Sequence, residues 1–581
     1  MKTLIILLLA LAGIPDRESA ILLLSGAGTM EELSESEVEA YMALCRNPVR
    51  INLASRNRLL SCGLFSPYQV ASLLEYRERT GDILSFTELA TVNGIGEERA
   101  QALRHFTSLE SRSPPGKARR GDLRQDALAR LSVKDDACSF AGKYHISAGE
   151  DAECYLSGRN SYTDAEPKLN AASLAVYGKS GWKTVLGDFN ARFGQGLLCW
   201  SGLSLSGFPS VQAMLRNGTG ISPTGSFSPG HRGIALDWTG SGWGAAAACS
   251  FKGMALGSLS FFGRTGDYSL CLARLEDGRT AGSAGWKQGF GHLLFYGEAA
   301  FAAAENGKGA APALLAGLAW TPAYRVSAGL LARYYSPDYS TGISGAARTG
   351  SKVSDEAALT AGLRYRDFSV TVDRAIHPRR IEEGKKNSRR FKGVFSYTPE
   401  LHLAALDVAP GLRWTEKCDA SPSGKDWRHE LRADLKLRIR GMEGGVRGDA
   451  VRAGESGSGL LAFCEAGYKT PSDSARLRFS LFARGVFFDT SDWNNRIYVY
   501  ERDLPGCFSV PAYYGRGRAF SLNAGISFNS RRSFHRLEAS ASFTRSDKSS
   551  KTVFKIQYRI QMTGRHRPAD NSLRVEDWSK K

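Results

Sequence analysis

From residue 126 to residue 562, apolar and polar residues alternate in segment after segment of the chain. Within residues 431–440, every odd-numbered position is apolar and every even-numbered position is charged. Because successive side chains of a strand point to opposite faces, this period of two predicts strands with one apolar and one wet face. The same pattern occurs in residues 391–397, 476–487, 518–528 and 553–562.

These strands predict a closed barrel that spans a membrane. Several segments reach the roughly 9 to 11 residues that a spanning strand needs, and closure removes the exposed edges of a long antiparallel meander. A water-soluble sandwich shows the same alternation and is the alternative. We expect an α+β multidomain chain, in which a small all-α domain precedes an antiparallel transmembrane β-barrel of roughly 16 to 22 strands over residues 126–562. A polar tail follows at residues 563–581.

The N-terminus predicts export through a signal peptide within residues 1–27. A basic residue precedes the apolar run Leu4 to Ala12, as is typical of a secretory signal. The cleavage site stays open, because Ala10-Leu11-Ala12 has the small-x-small form but a second apolar stretch ends in Ser25-Gly26-Ala27. No later segment approaches the roughly 20 apolar residues of a spanning helix, so membrane insertion is expected through strands.

A short helical region is predicted between the signal and the barrel. Apolar residues at three- and four-residue steps predict an amphipathic helix over residues 28–47 and further helices over residues 48–110. Two turn signals, at residues 62–67 and 92–96, divide the second region into two helical hairpins. Residues 111–125 are rich in Pro, Lys and Arg and predict a basic linker.

The second hairpin, residues 93–100, contains Gly-Ile-Gly and resembles a helix-hairpin-helix motif. Together with residues 51–53, 74–77 and 86–89, it resembles the tandem module of competence-type DNA-uptake proteins. That resemblance implies that backbone amides at the turn bind one phosphate of double-stranded DNA, without reading bases and with strong salt dependence. The residues implied are Gly94, Ile95, Gly96 and Arg99, helped by Arg50, Arg56 and Arg58.

Three departures from that motif keep other interpretations open. The first hairpin has Leu64-Phe65-Ser66 in place of Gly-Ile-Gly, and Glu97 and Glu98 follow the second. Residues 48–110 contain seven arginines and seven acidic residues, whereas a DNA-binding domain is usually basic. The glycines therefore also fit a tight turn that only packs two helices, and the domain also fits a plug of the barrel or a docking domain.

The barrel region has a segment dense in glycine and aromatic residues, 186–202. With residues 500–506 and 510–517, it resembles a family of helix-hairpin-helix proteins of Bacteroidota whose C-terminal part is an outer-membrane barrel. That resemblance implies a cell outer-membrane location with the hairpin domain in the periplasm. Polar residues of this segment are expected to face the lumen and to hold an inward loop, 203–231, either as a constriction that selects cargo or as mutual partners in a plugged barrel. The candidate residues of these motifs are Asp188, Arg192, Gln195, Trp200 and Arg516.

The sequence contains no motif for a known catalytic or cofactor site. There is no HExxH, no GxSxG and no phosphate-cradling loop, so we expect no catalytic residue, cofactor or metal. The ten cysteines lack CxxC spacing and are expected to be mostly apolar fillers, with a disulfide as the alternative.

Transport or envelope assembly by a non-enzymatic barrel is the leading hypothesis for function. Non-specific DNA binding or uptake through the hairpin amides is the first alternative, and a barrel-embedded enzyme is the second. The net charge of +18 favours a polyanionic partner: nucleic acid, lipopolysaccharide or a phospholipid surface. Expected partners are therefore outer-membrane lipid, double-stranded DNA, and a periplasmic or surface protein.

Overall fold

The structure is a computed structural model that describes residues 17–110 and 123–563, with short internal gaps. The gaps are 136, 164–165, 179, 202–210, 264–265, 304–308, 324, 379–387, 404–405, 422–423, 455–456, 471–475 and 531. Several expected segments therefore lie wholly or partly outside the described residues. They are most of the signal, most of the linker, part of the inward loop, and all of the tail except residue 563.

A closed antiparallel barrel of 24 strands makes up most of the described chain. Its first strand pairs with its last, as in the register Ala127 to Ile560, which closes the sheet. Two short segments, Gly220–Pro223 and Leu401–Leu403, continue neighbouring strands and are not counted separately. Closure leaves no unpaired edge in the described part of the barrel sheet, as a membrane interior demands.

The strand segments of the barrel are numbered in chain order after two short strands of the helical region. They are β3 (Leu123–Lys134), β4 (Ala137–Ala148), β5 (Ala152–Arg159), β6 (Lys168–Tyr177), β7 (Trp182–Arg192), β8 (Gly220–Pro223), β9 (His231–Thr239), β10 (Trp243–Ser250), β11 (Ala255–Phe262), β12 (Gly266–Arg274), β13 (Thr280–Phe290), β14 (Leu293–Ala303), β15 (Ala310–Ala323), β16 (Val326–Tyr335), β17 (Glu356–Tyr365), β18 (Phe368–His377), β19 (Ser388–Tyr397), β20 (Leu401–Leu403), β21 (Leu406–Ser421), β22 (Gly424–Ile439), β23 (Met442–Ala453), β24 (Ser458–Lys469) and β25 (Leu477–Thr490). After a small hairpin, β26 (Ile497–Tyr498) and β27 (Ala512–Tyr513), come β28 (Gly515–Asn529), β29 (Ser533–Ser546) and β30 (Ser550–Thr563).

The fold class expected from the sequence is confirmed, but the barrel has more strands than the expected 16 to 22. Strands β10, β11 and β12 are only eight or nine residues long, and β10 has alanine at four consecutive positions. Small residues on both faces weaken the alternation by which strands are counted. The barrel also begins at Leu123, inside the segment expected to be linker, and ends at Thr563.

The alternation resolves into an apolar outer face and a polar inner face. On β22, Leu431, Leu437 and Ile439 are each about two-fifths exposed, whereas Arg432 between them turns inward. Large exposed apolar side chains recur on strands around the circumference. A closed barrel with such a surface suits lipid, so the alternative of a water-soluble sandwich is wrong.

Six helices form the N-terminal region of the described chain. They are α1 (Arg17–Ser25), α2 (Glu35–Arg46), α3 (Arg56–Ser61), α4 (Pro67–Thr80), α5 (Phe86–Thr91) and α6 (Glu97–Leu103), with β1 (Val49–Arg50) paired to β2 (Thr107–Ser108). Helix α2 begins later than expected, because Ser34 and Glu37 form a capping box that follows a separate 3-10 turn at Met30–Glu32. Helix α1 was not expected, and its Ala20 and Ile21 are buried in the core of the region.

The helical region lies inside the barrel and is named the plug after this position. Its side chains contact inward-facing residues on strands around the wall: Asn47 bonds His145 on β4, Arg58 pairs with Glu153 on β5, and Glu98 pairs with Arg364 on β17. Other plug residues reach β21, β22 and β23. The structure thus places the helices in the lumen, which corresponds to the plug that the sequence left open as an alternative to a docking domain in the periplasm. The plug is held there by charges of opposite sign on the two surfaces.

Further chain enters the lumen between strands. The segment between β7 and β9 and the segment after β16 pack together, with Leu197, Leu198 and Tyr339 fully buried. The segment between β25 and β28 also turns inward, with Val499 fully buried. Among the described residues, no helix has the length and apolar character needed to cross a membrane.

Candidate functional site

The plug is fastened to the barrel wall by Glu31. This carboxylate lies 2.6 Å from the guanidinium of Arg447 and 3.4 Å from that of Arg432, and it also accepts the backbone N–H of Tyr500 at 3.1 Å. The side chains of Glu31 and Arg447 are only about a tenth exposed. Charge-assisted hydrogen bonds of this kind are stronger than neutral ones, so Glu31 forms a firm attachment.

Glu32, the next residue, makes a second attachment to the same wall. Its carboxylate pairs with Arg413 at 2.5 Å and accepts the N–H of Gly28 at 2.9 Å. Burial by itself raises the pKa of both glutamates, but the nearby cations outweigh it and hold each pKa below its ordinary value of 4.5. The cations are Arg432 and Arg447 for Glu31, and Arg413 and Lys392 for Glu32. Both carboxylates are therefore charged at neutral pH.

Local structure explains how these five side chains meet. The 3-10 turn Met30–Glu32 presents two consecutive carboxylates just before the cap of α2. On the wall, Arg413 of β21 lies directly opposite Arg432 of β22 in the sheet register, and Arg447 follows on β23. Cross-strand neighbours in register share one face, so all three arginines point into the lumen.

A cavity of about 1050 Å³ lies between this part of the plug and the wall. Among the described residues that line it, the plug supplies three carboxylates, from Glu31, Glu32 and Glu37, and no cation. The barrel and its inward segments supply four carboxylates and seven cations, the latter being Arg348, Lys392, Arg413, Lys417, Arg428, Arg432 and Arg496. Plug and wall thus carry opposite net charge across the cavity.

On the opposite side of the lumen, the ion pairs have reversed polarity. Arg58 of the plug pairs with Glu153 of the wall at 2.7 Å, and Tyr177 donates to the same carboxylate at 2.6 Å. Burial lowers the pKa of Arg58, but Glu153 and neighbouring groups outweigh that effect and raise it. Arg50 lies 3.0 Å from Glu110. Two arginines that the sequence offered for phosphate binding are therefore engaged with carboxylates.

The structure does not bring the expected phosphate-binding residues together. Arg56 lies over the ring of Phe262, 5.6 Å from its centroid, and Arg99 donates to the backbone carbonyl of Leu64. Gly94 and Gly96 have positive φ angles of 82° and 73°, and both are exposed, whereas the amide of Ile95 donates to Val92 within the turn. The turn between α5 and α6 is thus open, but the arginines lie elsewhere.

The candidate residues of the glycine-rich segment have separate partners. Asp188 is fully buried and accepts both Nε and Nη2 of Arg232 at 2.9 Å on the neighbouring strand. Gln195 exchanges two hydrogen bonds of 3.0 Å with the backbone of Arg216, which lies in the described part of the expected inward loop.

Trp200 lies between two guanidinium groups, with Arg192 at 5.6 Å and Arg216 at 5.0 Å from its ring. Arg516 is remote from this group: its side chain is four-fifths exposed and lies 3.6 Å from Asp489. The glycine-rich segment therefore organises the inner loops, and Arg516 has no part in that arrangement.

The residues that fasten the plug were not singled out from the sequence. Arg432 was visible as one of the charged residues of an alternating strand, and Glu31 and Glu32 as acidic residues early in the helix predicted over residues 28–47. One signal was present: residues 48–110 are electrically neutral in a chain of net charge +18. The excess positive charge therefore had to lie outside these residues. The glutamates that pair with it are 380 or more positions away in the chain, so only the fold could identify these pairs.

The described residues contain no group of three or more His, Cys, Asp or Glu side chains arranged to hold a metal ion. The ten cysteines are free, and three of them, Cys199, Cys271 and Cys418, are buried.

Comparison with known proteins gives similarity of structure but not of sequence. No protein-family model and no curated protein matches the chain. The P pilus usher PapC translocation pore is similar at 12% identity and a TM-score of 0.36, over 76% of this chain and 99% of that chain. OccK10 (OpdN) of Pseudomonas aeruginosa is similar at 9% identity and a TM-score of 0.32, over 77% and 99%. OpdL of the same organism is similar at 8% identity and a TM-score of 0.30, over 76% and 98%. These similarities concern the form of a large barrel and say nothing about cargo.

Proposed function

We propose that this protein is a non-enzymatic transport channel of the outer membrane, closed by its own N-terminal plug. The observation that carries the proposal is the attachment of Glu31 and Glu32 to Arg413, Arg432 and Arg447. A 24-strand barrel is wide enough to hold a lumen, and here helices occupy that lumen. Transport then requires that the plug move or rearrange.

The polar character of the plug surface supports a movable part. Plug and wall meet through ion pairs and hydrogen bonds, such as Glu98 to Arg364 at 2.8 Å and Asn47 to His145 at 2.9 Å. An apolar interface would favour permanent association, whereas a partly exposed ion pair such as that of Glu98 with Arg364 exchanges for solvent at modest cost. The plug also has its own buried core, including Ile51, Leu73 and Phe106, which allows it to move as a unit.

The test is the conductance of the full chain in planar lipid bilayers. In the variant E31K/E32K, like charges replace the ion pairs to the three arginines, so we expect frequent opening where the wild type stays mostly closed. The matched control is E75K/E78K, which makes the same charge change on the exposed face of α4. Heat-modifiable migration in gels establishes that each variant forms a barrel. A folded E31K/E32K protein with wild-type conductance would refute the proposal.

DNA binding by the second hairpin is the alternative. The turn favours it, because Gly94 and Gly96 are exposed and have positive φ angles there. Against it stand Glu97, which is exposed beside the turn, and Glu98, which pairs with the wall. Binding of fluorescent double-stranded DNA to the wild type and to E31K/E32K, across a salt series, separates the two functions. Salt-dependent DNA binding that is lost when Gly94 and Gly96 are replaced would move DNA handling ahead of transport.

A further inference from the structure

The plug's two glutamates occupy a cationic site that belongs to the barrel wall. Glu31 and Glu32 are consecutive residues of one turn, so they present two carboxylates together to Arg413, Arg432 and Arg447. This is the arrangement that a small dianion would adopt in a site built from arginines, whose planar donor groups match carboxylate and phosphate oxygens. The turn thus stands in for a ligand.

The wall retains positive charge when the glutamates leave. Asp449 is bonded to Nε of Arg432 at 3.0 Å and to Nε of Arg447 at 2.7 Å, so one wall carboxylate orients two arginines. Glu32 is the carboxylate to which Arg413 donates among the described residues. Three arginines, with Lys392 beside Glu32, would then face two wall carboxylates. These are Asp449 and also Asp434, which is the cross-strand neighbour of Arg447. The excess of buried cations needs counter-charge.

The surroundings have room for a ligand. The adjoining cavity, about 1050 Å³, is at the upper end of the range found for small-molecule sites, about 300 to 1000 Å³. Trp427 and Tyr498 line it together with the charged residues, and both offer apolar surface. A small organic molecule that carries two oxyanion groups therefore fits both the charge and the space.

We infer that Arg413, Arg432 and Arg447 form a binding site for a small oxyanionic cargo, bearing carboxylate or phosphate groups, which Glu31 and Glu32 occupy in the closed state. This inference rests on the proposed transport function and specifies its substrate class. Such a ligand competes with the plug for the same arginines, so its binding favours release of the plug. Selectivity and opening then depend on the same three side chains.

The first experiment measures binding without requiring the channel to open. The full chain in detergent is titrated calorimetrically with pyrophosphate in one arm and with succinate in the other. In E31A/E32A the arginines are vacated, and we expect binding about tenfold tighter than in the wild type. The two arms distinguish a phosphate from a carboxylate preference.

The second variant removes the wall charges. R413Q/R432Q introduced into E31A/E32A should weaken binding about tenfold, because two of the three donor groups are lost. R79Q/R516Q in the same background removes equal charge from two exposed arginines and should leave the affinity unchanged. Equal affinity in all these variants, or no binding of either probe to folded E31A/E32A, overturns the inference.

Conductance separates failure of the inference from failure of the proposed function. If E31K/E32K conducts but E31A/E32A binds neither probe, the transport proposal stands and the oxyanion site does not. If E31A/E32A binds a probe through Arg413 and Arg432 while no variant conducts, the site stands as a binding site and the transport proposal fails.

Discussion

Glu31 and Arg447 form an ion pair of 2.6 Å although 416 positions separate them in the chain. The two residues belong to different parts of the molecule, the plug and strand β23, so this contact exists only when the plug is seated. Its neighbours, Arg432 and the N–H of Tyr500, complete the set of donors around one carboxylate. The attachment of the plug therefore depends on a charge that pH and substitution can remove.

Acidification should open the channel. Because the seated plug lowers the pKa of Glu31 and Glu32 below 4.5, their charge stabilises seating at higher pH, and the stabilisation is lost as pH falls from 4.5 toward the lowered values. We expect the open fraction in bilayers to rise below about pH 4.5. In E31Q/E32Q this acid dependence should disappear. An unchanged acid response in that variant would assign it to carboxylates elsewhere.

Removal of Arg58 should loosen the opposite side of the plug. R58A leaves Glu153 without its guanidinium partner in a site where that carboxylate is only 3% exposed. Loss of one partner of a buried pair costs about 3 to 5 kcal/mol. We expect the lower end, about 3 kcal/mol, because Tyr155 and Tyr177 still donate to Glu153.

Hydrogen exchange of α3 and β5 in the R58A variant is the measurement. The matched variant R79A removes an exposed pair on α4, worth at most about 1 kcal/mol, and should leave exchange in α3 unchanged. Equal protection of α3 in R58A and in the wild type would contradict a stabilising role for the Arg58 to Glu153 pair.

Signal processing should leave α1 on the mature protein. Ala20 and Ile21 are fully buried in the plug core, so cleavage after Ala27 would remove packed residues and leave a gap. We therefore expect cleavage after Ala12, or at another bond before Arg17. The intact mass of protein extracted from the membrane decides this. A mature protein that begins at Gly28 would show that the plug packs without α1.

Two glycines of the barrel should differ in their tolerance of a methyl group. At Gly233, a Cβ atom would overlap the backbone carbonyl oxygen of Cys249 on the next strand, whereas at Gly257 the space is empty. Backbone cannot move aside as a flexible side chain does, so G233A should destabilise the barrel by about 1 to 3 kcal/mol or more.

The fraction of folded protein across a urea series, read from heat-modifiable migration, checks this difference. G257A is the matched control, because it makes the same chemical change on a neighbouring part of the wall. We expect the midpoint of G257A to equal that of the wild type. A G233A midpoint equal to both would show that β9 and β10 can separate locally without cost.

Local pattern was enough to predict the two architectural parts. The alternation in residues 431–440 gave the strand, its apolar face and its charged face, and the outer and inner faces of β22 follow that pattern. The helices followed from apolar spacing and from the turn signals at residues 62–67 and 92–96. These features depend on residues a few positions apart, so the sequence by itself determined them.

The number of strands and the position of the plug depended on tertiary structure. Strands such as β10, with alanine at four consecutive positions, are defined by pairing with neighbours more than by their own alternation. The seating of the helices depends on pairs such as Glu31 with Arg447 and Arg58 with Glu153. A sequence does not show which acidic residue pairs with which basic residue. Coulomb attraction is strong only at short distance, so the pairs are decided among side chains that closure of the barrel has brought within a few ångströms of each other.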